Sequence, residues 1–179
     1  MEVIAIIPAR SGSKSIIDKN IINLNGHPLL AFSIAAAKLS TQIDRIIVST
    51  DSEDYAIIAR KYGAEVPFLR PSNISDDSAT DHEFFKHAVE YFRHEENYGP
   101  EYFAHLRPTS PLRHSEVIDK AIKGFINSKY SALRSVNTMS DTSYKTFEIE
   151  NGKLKTLCNG NFNIESTTLP RQSFPLTYN

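Results

Sequence analysis

A polar loop after the first apolar run of the chain carries residues that could bind phosphate. The loop reads Pro-Ala-Arg-Ser-Gly-Ser-Lys, and its small residues Ser11, Gly12 and Ser13 allow backbone N–H groups to approach phosphate oxygens. Arg10 and Lys14 add positive charge. Ser13 separates Gly12 from Lys14, so the spacing is not that of a Walker loop, and no Gly-x-Gly-x-x-Gly fingerprint is present. The residues alone leave two interpretations open, a phosphate site and a solvated turn between a strand and a helix.

The elements that position this loop are predicted from the spacing of apolar residues. Short runs rich in β-branched residues predict buried strands over 3–7, 45–49, 102–106 and 132–136. Helical spacing, with cap and stop signals, predicts helices over 28–40, 52–62, 80–94 and 115–127. Strands that alternate with helices imply right-handed crossovers and a mostly parallel sheet with helices on both faces. The predicted fold class is therefore α/β.

After about residue 137 the pattern changes to that of an antiparallel hairpin. Segments 144–149 and 153–157 flank Asn151 and Gly152, the strongest short-range signal of a hairpin turn. We therefore predict an α/β core over 1–137 and a small antiparallel arm over 138–177, within a single domain overall. The arm has too little core to stand alone, so we expect it to pack against its symmetry mate in a two-fold homodimer.

Composition argues against broad charged surfaces and against metal clusters. The 179 residues carry a net charge of −1 with Lys and Arg spread along the chain, so we expect no nucleic-acid partner and no membrane partner. Cys158 is the single cysteine, and the 6 histidines lack zinc spacing. The apolar N-terminus is too short for a signal peptide or a membrane span, so we expect a cytoplasmic protein.

Three polar loops leave the carboxyl ends of predicted strands, where ligands of open parallel sheets bind. The loops cover residues 8–20, 49–51 and 107–113. Their convergence would place four cations around one crevice, namely Arg10, Lys14, Lys19 and Arg107. Such a set of cations suits a triphosphate or an acidic sugar.

Several motifs resemble those of cytidylyltransferases that act on N-acylneuraminate (sialic acid) and related nonulosonic acids. The opening Ile-Pro-Ala-Arg-Ser-Gly-Ser-Lys, followed by Lys19 and Asn20, resembles the first motif of that family. Later motifs match in the same order, over residues 47–52, 69–71, 77–79, 106–113, 145 and 169–172. The resemblance therefore spans nearly the whole chain and implies the Rossmann-like nucleotidyltransferase fold of that family.

The resemblance implies a reaction in which CTP and an acidic sugar give a CMP-sugar and pyrophosphate, with Mg²⁺ as the expected cofactor. The implied catalytic residues are Arg10, Lys14 and Lys19. The implied nucleotide-binding residues are Ser11, Gly12, Ser13, Asn20 and Arg70. The implied sugar-binding residues are Arg107, Ser110, Lys145 and Arg171, the last two reaching the sugar in the neighbouring subunit. No residue is assigned to the metal.

Three features depart from the family pattern. Residues 15–17 read Ser-Ile-Ile where the family usually has Gly-x-Pro, and Arg107 replaces a glutamine of the sugar pocket. That glutamine is a neutral amide, whereas an arginine presents a charged fork, so the substitution bears on the identity of the sugar. The sequence stops at Asn179, where the family continues into a late Asp-x-Asp that holds the metal, so we expect the C-terminal part of the family fold to be missing.

Two alternatives stay open at this stage. One is another sugar nucleotidylyltransferase of the same fold, with a different nucleotide or a neutral sugar phosphate. The other is a catalytically inactive, dimeric nucleotide-binding protein that kept the scaffold and lost the metal site. A late Asp-x-Asp further along the reading frame would favour the enzyme, and a stop codon would favour the binding protein.

Overall fold

The computed structural model describes residues 2–13, 15–76, 79–136, 147–151 and 153–156. The chain divides into two compact units, Met1–Tyr130 and Ser131–Asn179. The predicted boundary after residue 137 stays a prediction, because residues 137–146 lie outside the described part.

The first unit is built on a three-stranded parallel sheet. Its strands are β1 (Val3–Pro8), β4 (Arg45–Ser49) and β5 (Tyr102–His105), in the order β4-β1-β5. The central strand β1 is parallel to both neighbours. A two-stranded ribbon, β2 (Asn23–Leu24) and β3 (His27–Pro28), lies between β1 and the first helix in the chain.

Helices cover both faces of this sheet because side chains of β1 alternate between two apolar cores. The helices are α1 (Leu29–Leu39), α2 (Glu53–Lys61), α3 (Asp81–Glu95) and α4 (Ser115–Ile126). Val3, Ala5 and Ile7 belong to one core with residues of α1, α2 and α4. Ile4 and Ile6 belong to the other with Phe84, Ala88 and Phe92 of α3. The predicted α/β class is confirmed.

Local signals set the ends of the helices where the sequence predicts them. The hydroxyl of Ser52 accepts a hydrogen bond from the backbone N–H of Tyr55 at 3.4 Å and so caps α2. Gly63 follows that helix with φ of +92°, a left-handed conformation that favours glycine. Thr80 and Glu83 form a capping box at the start of α3.

The predicted strand over 132–136 is wrong. These residues are exposed and belong to no strand or isolated bridge within the described part of the chain. A strand depends on a hydrogen-bonded neighbour and on burial of one face, so the β-branched character of a short run is not sufficient on its own.

The second unit contains the predicted hairpin. Strands β6 (Phe147–Glu150) and β7 (Lys153–Thr156) pair antiparallel, and Asn151 has φ of +52° at the turn. The remainder of the arm lies outside the described residues. Among the described helices of the whole chain, none combines the length and the apolar character that crossing a membrane requires.

Candidate active site

A cleft of about 200 Å³ lies at the carboxyl ends of the parallel strands in the first unit. The loops after β1 and β5 contribute to its wall, together with the segment that leads into α3. The described lining residues are Pro8, Arg10, Ser13, Lys19, Asn20, Arg70, Ala79, Asp81, Phe84, Arg107, Pro108 and Thr109. The cleft therefore lies where ligands bind in open α/β sheets.

The loop after β1 is held by a carboxylate from the neighbouring strand end. Oδ1 of Asp51 accepts the backbone N–H of Ser11 at 2.7 Å, and Oδ2 accepts the hydroxyl of Ser11 at 2.7 Å. Gly12 then takes φ of +62°, and a Cβ atom at this position would meet open space. The loop can make this turn because glycine adopts a left-handed backbone without strain.

A short 3-10 helix, Lys19–Ile21, fixes the other end of the same loop. The side-chain amide of Asn20, which is 7% exposed, donates to the carbonyl of Arg10 at 2.9 Å. The hydroxyl of Tyr55 donates to Oδ1 of Asp18 at 2.9 Å, just before this 3-10 helix. These two contacts hold the end of the loop, and both Arg10 and Lys19 line the cleft.

Arg70 is a buried cation in the wall of the cleft, with 6% of its surface exposed. Its Nε and Nη2 donate to the hydroxyl and carbonyl of Ser49, at 3.1 and 2.7 Å. Its guanidinium carbon lies 5.1 Å from the ring centre of Phe84, within the range of a cation–π contact. Burial lowers the pKa of Arg70 to about 10, and the nearby Asp51 opposes this shift. The side chain therefore stays positively charged at neutral pH.

The cleft lining also contains an ion pair between Arg107 and Asp81. Nδ1 of His105 lies 3.9 Å from Oδ2 of Asp81. Burial lowers the pKa of His105, and Asp81 opposes that shift. The charge of this part of the cleft lining therefore resides mainly in Arg107 and Asp81.

The described cleft thus combines four cationic side chains with one carboxylate, a surplus of positive charge that suits a polyphosphate. A family model described as cytidylyltransferase matches residues 4–166. The chain belongs to the cytidylyltransferase family.

Curated relatives within this cytidylyltransferase family differ in the sugar that their names carry. The N-acylneuraminate cytidylyltransferase of Escherichia coli is 43% identical over 143 residues, which are 79% of this chain and 33% of the relative. The pseudaminic acid cytidylyltransferase of Campylobacter jejuni is 39% identical over 129 residues, 72% of this chain and 55% of the relative. The chain therefore spans about half the length of these relatives or less.

A solved cytidylyltransferase structure agrees with the fold. The CMP:2-keto-3-deoxy-manno-octonic acid synthetase complexed with CTP has a TM-score of 0.58 and 16% identity to this chain. The superposition covers 71% of this chain and 48% of that structure. At this identity the likeness shows the fold alone, and that fold is the predicted one.

The structure brings together most of the described residues that the cytidylyltransferase resemblance implied. The described site residues that line this cleft are Arg10, Ser13, Lys19, Asn20, Arg70 and Arg107. The convergence expected from the three strand ends is therefore confirmed for the described cations, while the roles of these residues stay predictions.

Other implied residues lie elsewhere or outside the described part. Ser11 and Gly12 belong to the loop but not to the cleft lining, and both donors of Ser11 are directed to Asp51. Ser110 is exposed and absent from the lining, and its N–H donates to the carbonyl of Arg107 at 3.3 Å. The remaining implied residues, Lys14, Lys145 and Arg171, lie outside the described residues.

The sequence did not predict the contacts of two carboxylates at the site, Asp51 and Asp81. Asp51 was visible only as the last residue of a Ser-Thr-Asp strand end, and Asp81 only as the first acid of a helix. Each carboxylate contacts a residue that is distant in sequence: Asp51 contacts Ser11, and Asp81 contacts Arg107. The spacing of residues along the chain contains no signal for either contact.

Proposed function

We propose that this protein transfers CMP from CTP to an acidic sugar of the nonulosonic class and releases pyrophosphate. The observation that carries the proposal is the convergence of Arg10, Lys19, Arg70 and Arg107 on one cleft at the carboxyl edge of a parallel sheet. Membership of the cytidylyltransferase family and the acidic sugars in the relatives' names support the same reaction.

In this reaction the anomeric hydroxyl of the sugar attacks the α-phosphate of CTP. An oxygen–phosphorus bond forms as the bond to the leaving pyrophosphate breaks, and the hydroxyl proton is released to water. Transfers of this type depend mainly on the placement of the reactants and on cations that stabilise developing negative charge. We assign that charge stabilisation to Arg10, Lys14 and Lys19, because the loop that carries Arg10 is held at Ser11 and Asn20.

The position of Arg70 suits the nucleoside end of CTP. Its guanidinium is fixed by Ser49 on one side and by the ring of Phe84 on the other. A rigid, planar group with remaining N–H donors can recognise the carbonyl oxygen and hydroxyl groups of a nucleoside without losing side-chain entropy. We therefore place the base and ribose of CTP at this wall.

Assembly, location and metal are further parts of the proposal. The hairpin arm and its implied sugar ligands Lys145 and Arg171 support a homodimer with shared active sites, and a cytoplasmic location is part of the same proposal. Mg²⁺, when bound with CTP, would offset part of the negative charge of the phosphates. Within the described residues no cluster of three His, Cys, Asp or Glu side chains is spaced to hold a metal, so we assign it no protein ligand and derive no step through it.

A pyrophosphate-release assay with Mg²⁺, four nucleotides and a panel of nonulosonic acids tests the function. We expect release with CTP and at least one acidic sugar, and little with UTP, ATP or GTP. Arg10→Ala should lower the rate about 100-fold, because a donor to the charged transition state is worth about 10²–10³ in rate. The matched control is Arg60→Ala, which removes an exposed arginine paired with Glu53 on α2.

The control should keep the rate of the unaltered protein. Pyrophosphate release with a neutral sugar phosphate alone would favour the alternative sugar nucleotidylyltransferase. CTP binding without release with any sugar would favour the inactive binding protein. Either result would refute the proposed reaction.

A further inference from the structure

Asp81 is the one carboxylate among the described residues that line the cleft. It forms an ion pair with Arg107, and its Oδ2 lies 3.9 Å from Nδ1 of His105. A carboxylate in a cleft of cations works against the binding of a triphosphate, because it reduces the positive potential there. Its position therefore calls for a role other than holding phosphate.

The stability of the fold does not explain this ion pair. The side chain of Asp81 is 49% exposed and that of Arg107 is 56% exposed. Ion pairs with such exposure are screened by water and hardly change the free energy of unfolding. A role in function therefore explains this ion pair better than a role in stability does.

Hydrogen bonds hold the backbone at both residues of the ion pair, Asp81 and Arg107. Asp81 opens helix α3 directly after Thr80, whose hydroxyl donates to Oε2 of Glu83 at 2.9 Å in the capping box. On the other side, the hydroxyl of Ser33 donates to the carbonyl of Arg107 at 3.2 Å. The direction of the Arg107 guanidinium is therefore set by where Asp81 is held.

We propose that Asp81 is a positioning residue that orients the guanidinium of Arg107 toward the acidic sugar, an inference that rests on the proposed function. Asp81 accepts a hydrogen bond from Nη2 of Arg107, which leaves the other N–H donors of that group for oxygen atoms of the sugar.

The negative charge of Asp81 also affects which ligand Arg107 binds. It offsets part of the charge of Arg107, so this guanidinium should compete less for the phosphates that we assign to Arg10 and Lys19. The pair thereby separates a sugar end of the cleft from a phosphate end. Removing Asp81 should impair use of the sugar and should leave the affinity for CTP unchanged or raise it.

Asp81→Asn, Arg107→Gln and the double variant test this coupling in the pyrophosphate-release assay. We expect Asp81→Asn to raise the KM for the sugar about tenfold without raising the KM for CTP. In the Arg107→Gln background the same change should alter the sugar KM by less than about twofold, because the group that Asp81 positions is gone. Asp81→Glu keeps the charge and should restore part of the sugar KM.

Glu90→Gln is the matched control, since it removes a carboxylate that pairs with Lys86 on the exposed side of the same helix. It should leave both KM values unchanged. Equal effects of Asp81→Asn in the two backgrounds would overturn the inference, and so would a rise in the KM for CTP in place of the sugar. If the unaltered protein releases no pyrophosphate with any acidic sugar, the proposed function itself fails; release without coupling overturns only the role of Asp81.

Discussion

The contact between Asp51 and Ser11 offers a direct test of how the loop after β1 is held. The carboxylate accepts both the backbone N–H and the hydroxyl of Ser11, each at 2.7 Å. Asp51→Ala removes both acceptors, whereas Asp51→Asn keeps one carbonyl oxygen for the N–H. The two substitutions should therefore form a graded series, with alanine the more damaging.

The size of the effect follows from the number and the exposure of these bonds. A hydrogen bond to a charged group contributes about 1.5–3 kcal/mol to stability, so two set a ceiling of about 3–6 kcal/mol. Ser11 is only half-buried, and water can replace part of what is lost. We expect the free energy of unfolding to fall by about 1–2 kcal/mol with alanine and by less than about 1 kcal/mol with asparagine.

The loss should appear in CTP binding as well as in stability. Without Asp51 the loop samples several conformations, and the donors that face a triphosphate are no longer oriented in advance. We expect Asp51→Ala to weaken CTP binding about tenfold, measured by calorimetric titration with thermal unfolding in parallel. Asp54→Asn is the control, because Asp54 is an exposed acid on the neighbouring helix α2. If Asp51→Ala binds CTP as tightly as this control, the loop is held by other contacts and the reasoning is wrong.

Two further predictions concern backbone conformation and pH. Gly63→Ala should lower the free energy of unfolding by about 1–2 kcal/mol, because φ is +92° at this position. The control Gly124→Ala, inside helix α4, should raise the free energy of unfolding by about 0.5–1 kcal/mol. Urea unfolding measures both changes. Burial lowers the pKa of His87 and His105, so the unfolded chain binds more protons and stability should fall as the pH drops below about 6.5. His87→Phe should flatten that fall between pH 7.5 and 5.5; an unchanged slope would contradict the assignment.

Most of the α/β core could be predicted because its signals are local. The β-branched run of β1, the capping serine before α2 and the turn signal between β6 and β7 each act over a few residues, and the structure has the strand, the cap and the hairpin. The strand predicted over 132–136 is wrong because a strand also depends on a partner that is distant in sequence. That segment has the composition of a strand, but composition does not supply a hydrogen-bonded neighbour.

The site could be predicted in part. Arg10, Lys19 and Arg107 converge because strand ends meet at one edge of a parallel sheet, which the order of elements already implies. Arg70 was found through family resemblance, since neither its burial nor its contact with Phe84 shows in the spacing of residues. The carboxylates Asp51 and Asp81 were missed because their partners lie 40 and 26 residues away along the chain.

A crystal structure of the protein grown with CTP would test the central claim most directly. We predict that the nucleotide occupies the described cleft, with its phosphates against Arg10 and Lys19 and its nucleoside against Arg70. Asp81 should keep its ion pair with Arg107 in that complex. CTP bound at another surface, or a cleft that stays empty at saturating CTP, would contradict the proposal that this cleft is where CMP transfer takes place.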